Sequence, residues 1–235
     1  ASNVAIQYMN TVRPLTFQFS LVMADSGCDA TTAATGAQTL IDAGVVGIAG
    51  AACSGATMGA IDVAKAAGVP MVSYASTSPA ITNYDDDGYL FRVVPSDAQQ
   101  GQALADVYDA SGYEYPAIIA MTNDYGAGFH AAFLDNWGGE PCAEATYADG
   151  NTDSSSHVSA VLDNGSDSVV MITYASDGAA IAQQLVVQCA GLQICGGDGL
   201  ASVGYASEFT DFYAVEGITP THPTSSPGTG HPLLI

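Results

Sequence analysis

The sequence predicts a doubly wound α/β architecture, in which parallel sheets are covered by helices on both faces. Three observations predict it. Apolar β-type runs alternate with Ala-, Leu- and Gln-rich stretches of helical spacing. Glycines stand where helices should stop, just before the next strand. Short polar residues suited to capping open several of the helices.

The elements follow in order. Helix-like text opens the chain at Ala1. A β-type run at Leu15–Met23 leads to a helix at Thr31–Asp42, a strand at Val45–Ala49, a helix at Thr57–Ala67 and a strand at Val69–Tyr74. The rhythm breaks at Thr82–Pro95. There Asp85–Asp86–Asp87–Gly88 forms a turn, and Tyr89–Val94 is a short β-type run with no helix before the next cap. That run reads as a connector between two sheets. Alternation resumes with a helix at Ala98–Ser111, a strand at Ala117–Met121 and helices at Gly128–Trp137 and Ser154–Asp163. A strand at Ser168–Thr173, a helix at Gly178–Cys189 and a strand at Gln193–Gly196 complete it. Gly44, Gly68, Gly112, Gly165 and Gly191 occupy the expected helix ends. Ser96–Asp97 and Asp153–Ser154 occupy expected helix starts. Gly217–Pro227, rich in Pro, Thr and Ser, is a second candidate connector, and the unpatterned text through Ile235 leads to the expectation of a truncated chain.

Charge narrows the function classes. The sequence holds 24 acidic residues against three basic ones, Arg13, Lys65 and Arg92, for a net charge of −21. Phosphates find nothing to pair with, so nucleic acid is excluded as a partner, and anionic membrane surfaces with it. No run of about 18 apolar residues suggests a membrane span. No basic-then-apolar signal segment opens the chain, so any leader is expected to be removed or to lie upstream.

The five cysteines leave alternatives open. Cys28 and Cys53 follow two successive expected strands. If those strands are parallel neighbours, about 4.8 Å apart, a bridge is geometrically reasonable and contributes roughly 3 kcal/mol. Cys189 and Cys195 flank a helix-to-strand turn and are a second candidate pair, which leaves Cys142 over. Buried free thiols account for the same residues.

Ligands of doubly wound folds bind at the carboxyl ends of the strands. Those ends read Asp25–Cys28, Ala52–Thr57, Ser73–Ser78, Asn123–Gly128, Thr173–Asp177 and Gly196–Gly199. They are small, hydroxylic, glycine-rich or acidic. Ser54 stands before a helix whose first amides, with a serine hydroxyl, suit a carboxylate. Ser76 and Thr77 add donors, Asp198 suits an ammonium group, and Tyr125 and Tyr174 suit the walls of a pocket. Each of the six alone reads as an ordinary loop or cap residue; their shared edge is what makes a site.

Catalytic patterns are missing. Ser54 lies outside any G-x-S-x-G. The four histidines stand in helices or in the unpatterned tail, and there is no H-E-x-x-H, P-loop or C-x-x-C. Asn83–Gly88 begins like a calcium loop but reaches Val94 where the bidentate Glu belongs. No metal and no cofactor are expected. Gly126-Ala127-Gly128-Phe129-His130-Ala131 fits G-x-G-x-x-A, yet three residues separate it from its strand and no ribose-binding acid follows at the right distance. Its favoured reading is close approach of a helix to a ligand pocket. The sequon Asn164-Gly165-Ser166 reads as incidental.

The series Ala52-Cys53-Ser54-Gly55-Ala56-Thr57, Gly68-Val69-Pro70-Met71-Val72-Ser73 and Ala75-Ser76-Thr77-Ser78-Pro79 resembles the type I periplasmic solute-binding proteins. The closest group is the leucine/isoleucine/valine-binding family of ABC importers. Phe91-Arg92, Pro95, Gln100-Gly101, Asp124-Tyr125-Gly126-Ala127-Gly128 and Gly196-Gly197-Asp198-Gly199 continue the similarity. The resemblance implies a two-lobed fold, with residues 1–94 as an incomplete lobe 1, 95–217 as lobe 2, and 218–235 as a second hinge and truncated return. The family's first strand would precede Ala1. Ser54 and Thr77 match the residues that hold an amino-acid carboxylate. Ser76 falls where a main-chain carbonyl accepts from the ammonium, and Asp198 stands where many members carry a Glu that pairs with it. Tyr125 and Tyr174 match pocket walls, and Cys28–Cys53 matches the first-lobe disulfide.

The implied function is the extracytoplasmic solute-binding component of an ABC importer, periplasmic or extracellular, in some cases as a membrane-tethered lipoprotein. It would capture an amino acid or related small zwitterion by clamshell closure and deliver it to a membrane permease. Amides, urea and aromatic acids stand beside aliphatic amino acids as ligand classes. The alternatives are a ligand-sensing receptor domain on the same fold and a Rossmann-type NAD-dependent enzyme using Gly126–Ala131.

Overall fold

The computed structural model describes residues 2–12, 18–150, 153–189, 191–209 and 218–221. The chain divides into two compact units, Ala1–Ala75 with Asp85–Val93, and Ser76–Tyr84 with Val94–Ile235.

The first unit holds α1 (Ser2–Val12), α2 (Ala30–Asp42), β1 (Ile48–Ala49), α3 (Ser54–Ala66), β2 (Met71–Ser73) and β3 (Leu90–Arg92). Its sheet is parallel, in the order β1-β2-β3, with Ile48 opposite Met71 and Met71 opposite Leu90. Period-two alternation sends Met71 and Ser73 inward, while Ala49, Val72 and Phe91 form an exposed cross-strand row on the other face. Ala56, Ala60, Ile61 and Ala64 are the buried stripe of α3. A Cβ on Gly59 would collide with the Ala30 backbone, so glycine is what lets α3 pack this close to the start of α2.

Two expectations are corrected in this unit. The run Leu15–Met23 forms no strand at residues 18–23, which are irregular and exposed; Leu15, Thr16 and Phe17 lie outside the described residues. An apolar segment becomes a strand only when its N–H and C=O groups find a neighbouring strand. Here Phe19 bonds instead to the Asn10 side chain, donating its N–H to Oδ1 and accepting from Nδ2, both at 2.8 Å. The run Tyr89–Val94, expected to connect two sheets, contains β3, a full member of the first sheet. The link from β2 carries a short 3₁₀ helix, Pro79–Asn83, in place of an α-helix.

The second unit holds α4 (Asp97–Ser111), β4 (Pro116–Met121), α5 (Asp124–Trp137), β5 (Ala143–Tyr147), α6 (Ser155–Leu162), β6 (Ser168–Ile172), α7 (Ala175–Gln188) and β7 (Gln193–Gly196). A 3₁₀ helix (Asp198–Ala201), α8 (Val203–Ser207) and β8 (Thr219–Pro220) follow. The sheet is parallel in the order β5-β4-β6-β7-β8. Every residue of β4 and β6 is buried, as a strand covered on both faces requires. Ala117, Ile119, Met121, Val169 and Met171 face Val158 and Val161 of α6 and Ile181, Ala182 and Leu185 of α7. Ile118, Ala120, Val170 and Ile172 face Leu104 and Tyr108 of α4 and Phe129 and Phe133 of α5. Each large side chain buried this way contributes about 1.5–3 kcal/mol. The expected doubly wound fold is therefore present.

The punctuation also holds. Ser96 Oγ accepts from Ala98 N at 3.2 Å, and Gly112 closes α4 at φ 71°, a left-handed position that a Cβ resists. At α6 it is Asp153, not Ser154, whose side chain accepts from Ser155 N, at 3.0 Å. Of the expected connector Gly217–Pro227, the described residues include β8, which pairs with β7; Gly217 and residues 222–227 lie outside them.

Cys28 and Cys53 are disulfide-bonded, with their Cα atoms 5.3 Å apart. Cys28 precedes the N-cap Asp29 of α2, and Cys53 is the N-cap residue of α3, so the bridge ties two helix starts together. The Cys189–Cys195 pairing is corrected: both thiols are free. Cys195 packs on the α4/α5 face of the sheet, whereas Cys189 ends α7 on the opposite face, so the sheet stands between them. Cys142 is also free and donates its Sγ–H to the Tyr115 carbonyl at 3.3 Å. Among the described residues no helix is long and apolar enough to cross a membrane.

Candidate ligand-binding site

In the second unit three of the expected residues meet at the carboxyl edge of the sheet. Asp198 opens the 3₁₀ helix after β7 and is partly exposed. Tyr125, in the first turn of α5 and only 4% exposed, donates its hydroxyl to Asp198 Oδ1 at 2.7 Å. Gln100 Nε2, from the first turn of α4, donates to the same oxygen at 3.2 Å. Asp198 Oδ2 accepts no hydrogen bond among the described residues, so one oxygen is held while the other faces no protein donor. Tyr174 caps α7 and stacks on Tyr125, ring centroids 5.5 Å apart and planes 15° from parallel.

The electrostatics keep Tyr125 a donor. Burial, then the charges of Asp198 and Asp97, push its hydroxyl well above the ordinary tyrosine range. Burial, then Asp149, pushes Tyr174 up to about 12. Gly197 makes room for the arrangement, since a Cβ there would run into the Phe129 ring and stand 2.6 Å from Tyr125 Oη.

The G-x-G pattern has a packing explanation. A Cβ on Gly126 would collide with the Met121 carbonyl, and one on Gly128 would lie 2.9 Å from Pro79 Cδ and 3.0 Å from Ser78 Oγ. Gly128 thus admits another part of the chain where a dinucleotide would place phosphate.

Ser54 belongs to the first unit. It is the first residue of α3 and its side chain is buried. The loop before it is fixed: Thr57 Oγ1 accepts from Ala51 N at 3.1 Å, and Ser73 Oγ donates to Ala51 O at 2.6 Å. Ser76 and Thr77 follow β2, are buried, and group with the second unit, where the Thr77 carbonyl accepts the Asp97 N–H at 2.8 Å.

The sequence profile described as "Receptor family ligand binding region" matches residues 1–192. The chain belongs to that family. Similar solved structures include binding proteins for amino acids and for aromatic acids such as benzoate. The leucine-binding protein LivK of Thermotoga maritima superposes with a TM-score of 0.86 at 25% identity, covering 97% of this chain and 66% of that one. LivJ of Streptococcus pneumoniae, a branched-chain amino acid transporter substrate-binding protein in complex with isoleucine, gives 0.80 at 25% identity, over 88% and 60%. Metabotropic glutamate receptor 6 of Oryctolagus cuniculus is 33% identical over 90 residues, 38% of this chain and 10% of the receptor. The chain thus spans less than two thirds of LivK and matches about a tenth of the receptor. Its fold is the type I periplasmic-binding fold, as the sequence resemblance implies.

Gln100 is the site residue that sequence reading passes over. It lies in the Gln100–Gly101 pair of the resemblance, one turn into α4, and its amide reaches a residue almost a hundred positions away.

Proposed function

We propose that this chain is the extracytoplasmic solute-binding component of an ABC importer, which captures an amino acid or related small zwitterion by clamshell closure and passes it to a membrane permease. In this reading residues 1–94 and 95–217 act as the two lobes and 218–235 as the return hinge. Ser54, Thr77 and the first amides of α3 hold the carboxylate. The Ser76 carbonyl and Asp198 receive the ammonium, and Tyr125 and Tyr174 wall the pocket. Closure is stabilised only by contacts made in the closed state, which is how the ligand shifts that equilibrium.

The observation that carries the reading is the Asp198 carboxylate, held at Oδ1 by Tyr125 and Gln100 and unbonded at Oδ2 among the described residues. Family membership and the likeness to LivK and LivJ support it. A zwitterion carries no net charge, so the −21 of the chain does not repel it. Asp198→Ala weakens amino-acid binding by at least about tenfold, about 1.4 kcal/mol, the scale of one charge-assisted bond. Calorimetry that finds the affinity unchanged removes Asp198 from the site.

A second reading is a ligand-sensing receptor domain on the same fold, supported by the 33% identity to metabotropic glutamate receptor 6. A membrane-spanning or signalling segment in the full-length gene product favours it over the importer.

A further inference from the structure

Gln100 is only 7% exposed, and glutamine is a residue that mostly stays at the surface. Burying it gives up the rotamer freedom of a long side chain, and its amide needs partners in place of water. Its Nε2 finds one in Asp198 Oδ1, at 3.2 Å. Tyr125 Oη donates to that same oxygen, at 2.7 Å.

The two donors come from different helices, and each helix is fixed where it stands. In the first turn of α4, Ser96 Oγ accepts from Ala98 N at 3.2 Å and the Ser96 carbonyl accepts the Gln100 N–H at 3.3 Å. In the same turn the Asp97 N–H donates to the Thr77 carbonyl at 2.8 Å. One residue on, Gly101 lets α4 lie backbone against backbone on α5 at Ala132 and Phe133. At the start of α5, Asn123 Oδ1 accepts from Gly126 N at 2.9 Å, and Tyr125 stands in that capped turn. The donors to Oδ1 are therefore placed by packing and capping in which Asp198 takes no part.

The second unit has no lysine or arginine to offer. Arg13, Lys65 and Arg92 are the chain's whole complement, and all three belong to the first unit. Among the described residues of its own unit Asp198 is bonded by neutral side-chain donors, both on one oxygen. A carboxyl group turns easily about its last bond, whose preferences are broad and two-fold. Two donors reaching one oxygen from two helices remove that freedom and keep Oδ2 for an incoming cation.

We propose that Gln100 is the positioning residue of the ammonium subsite: its amide, together with the Tyr125 hydroxyl, sets the direction in which Asp198 Oδ2 meets the ligand. The inference rests on the ammonium role given to Asp198 above and names a group on which that role depends. Gln100 acts through Asp198, so the loss of its amide matters only while that carboxylate is present.

The test is a double-mutant cycle on the full chain. The parent, Gln100→Met, Asp198→Ala and the double variant are titrated by calorimetry with the standard L-amino acids. Methionine keeps the length of glutamine and lacks the donor. Gln100→Leu replaces it where the urea midpoint of Trp137 fluorescence falls, and Asp198→Asn serves as the second background where Asp198→Ala binds too weakly to titrate. Gln100→Met is expected to weaken the tightest-binding amino acid about three- to tenfold in the parent, up to the effect of one charge-assisted bond. In the Asp198→Ala background it is expected to change nothing. An equal loss in both backgrounds, which a merely structural role would give, overturns the inference and leaves Asp198 in the site. Unchanged affinity in Gln100→Met does the same. Asp198→Ala binding as tightly as the parent, or a parent that binds no amino acid, overturns the ammonium reading and the inference together.

Discussion

Severing the Cys28–Cys53 bridge gives the clearest physical test of how the first unit is held. The double substitution Cys28→Ser, Cys53→Ser opens a loop of sequence separation 25. Loop-closure entropy for that length, about 2.1 + 3.0 ln 25 cal/mol/K, comes to about 3.5 kcal/mol at 25 °C. That is a large share of the roughly 5–15 kcal/mol by which a domain is stable. The loss falls on the starts of α2 and α3, and so on Ser54, the residue after Cys53. Urea unfolding read by far-ultraviolet circular dichroism is expected to show an early transition for the first unit. Trp137, the single tryptophan, lies in α5 stacked on Phe133 at 5.7 Å and reports the second unit. Its fluorescence transition stays where it was. A loss below about 1 kcal/mol, or an equal shift of the tryptophan transition, refutes the placement of this stabilisation in the first unit.

Two further predictions concern the second unit. A Cβ on Gly101 would stand 2.7 Å from Ala132 C and 2.8 Å from Phe133 N, backbone against backbone between α4 and α5. Gly101→Ala therefore costs about 1–3 kcal/mol by overpacking, read as a lower urea midpoint of Trp137 fluorescence; an unmoved midpoint denies the close approach. Asp177 is raised above 3.8, by burial first and by Asp149, against the pull of Gly150 N–H. A carboxyl raised on folding contributes stability below its unfolded value and loses it as pH rises through the folded one. Asp177→Asn is thus expected to melt higher than the parent at neutral pH, with the gain gone below about pH 3.8; a pH-independent difference contradicts that cause.

Much of this was legible in the residues because local and tertiary demands coincide. Ala117–Met121 and Val169–Ile172, the middle of the run Ser168–Thr173, are uniformly apolar, and a strand covered on both faces needs that text. What escaped notice lacks such coincidence. β5, Ala143–Tyr147, is a half-exposed edge strand whose polar Glu144 and Thr146 face out, so it shows only a weak alternation. Residues 18–23 show the opposite failure, since their apolar text resembles a strand but pairing is a property of the neighbour. In the site, Asp198, Tyr125 and Tyr174 could be named because each follows a strand. Gln100 could not, because its value comes from a contact across 98 positions. The Cys189–Cys195 pairing failed for a similar reason: nearness in sequence says nothing of which sheet face each thiol occupies.

The lopsided placement of the three basic residues reaches beyond ligand choice. Trypsin cleaves after lysine and arginine, and Pro14 protects the bond after Arg13. The two remaining targets are Lys65–Ala66, in α3, and Arg92–Val93, beside the boundary between the units. However long the digestion runs, residues 93–235 come through it uncut, so a routine protease supplies that stretch of the chain as one intact piece.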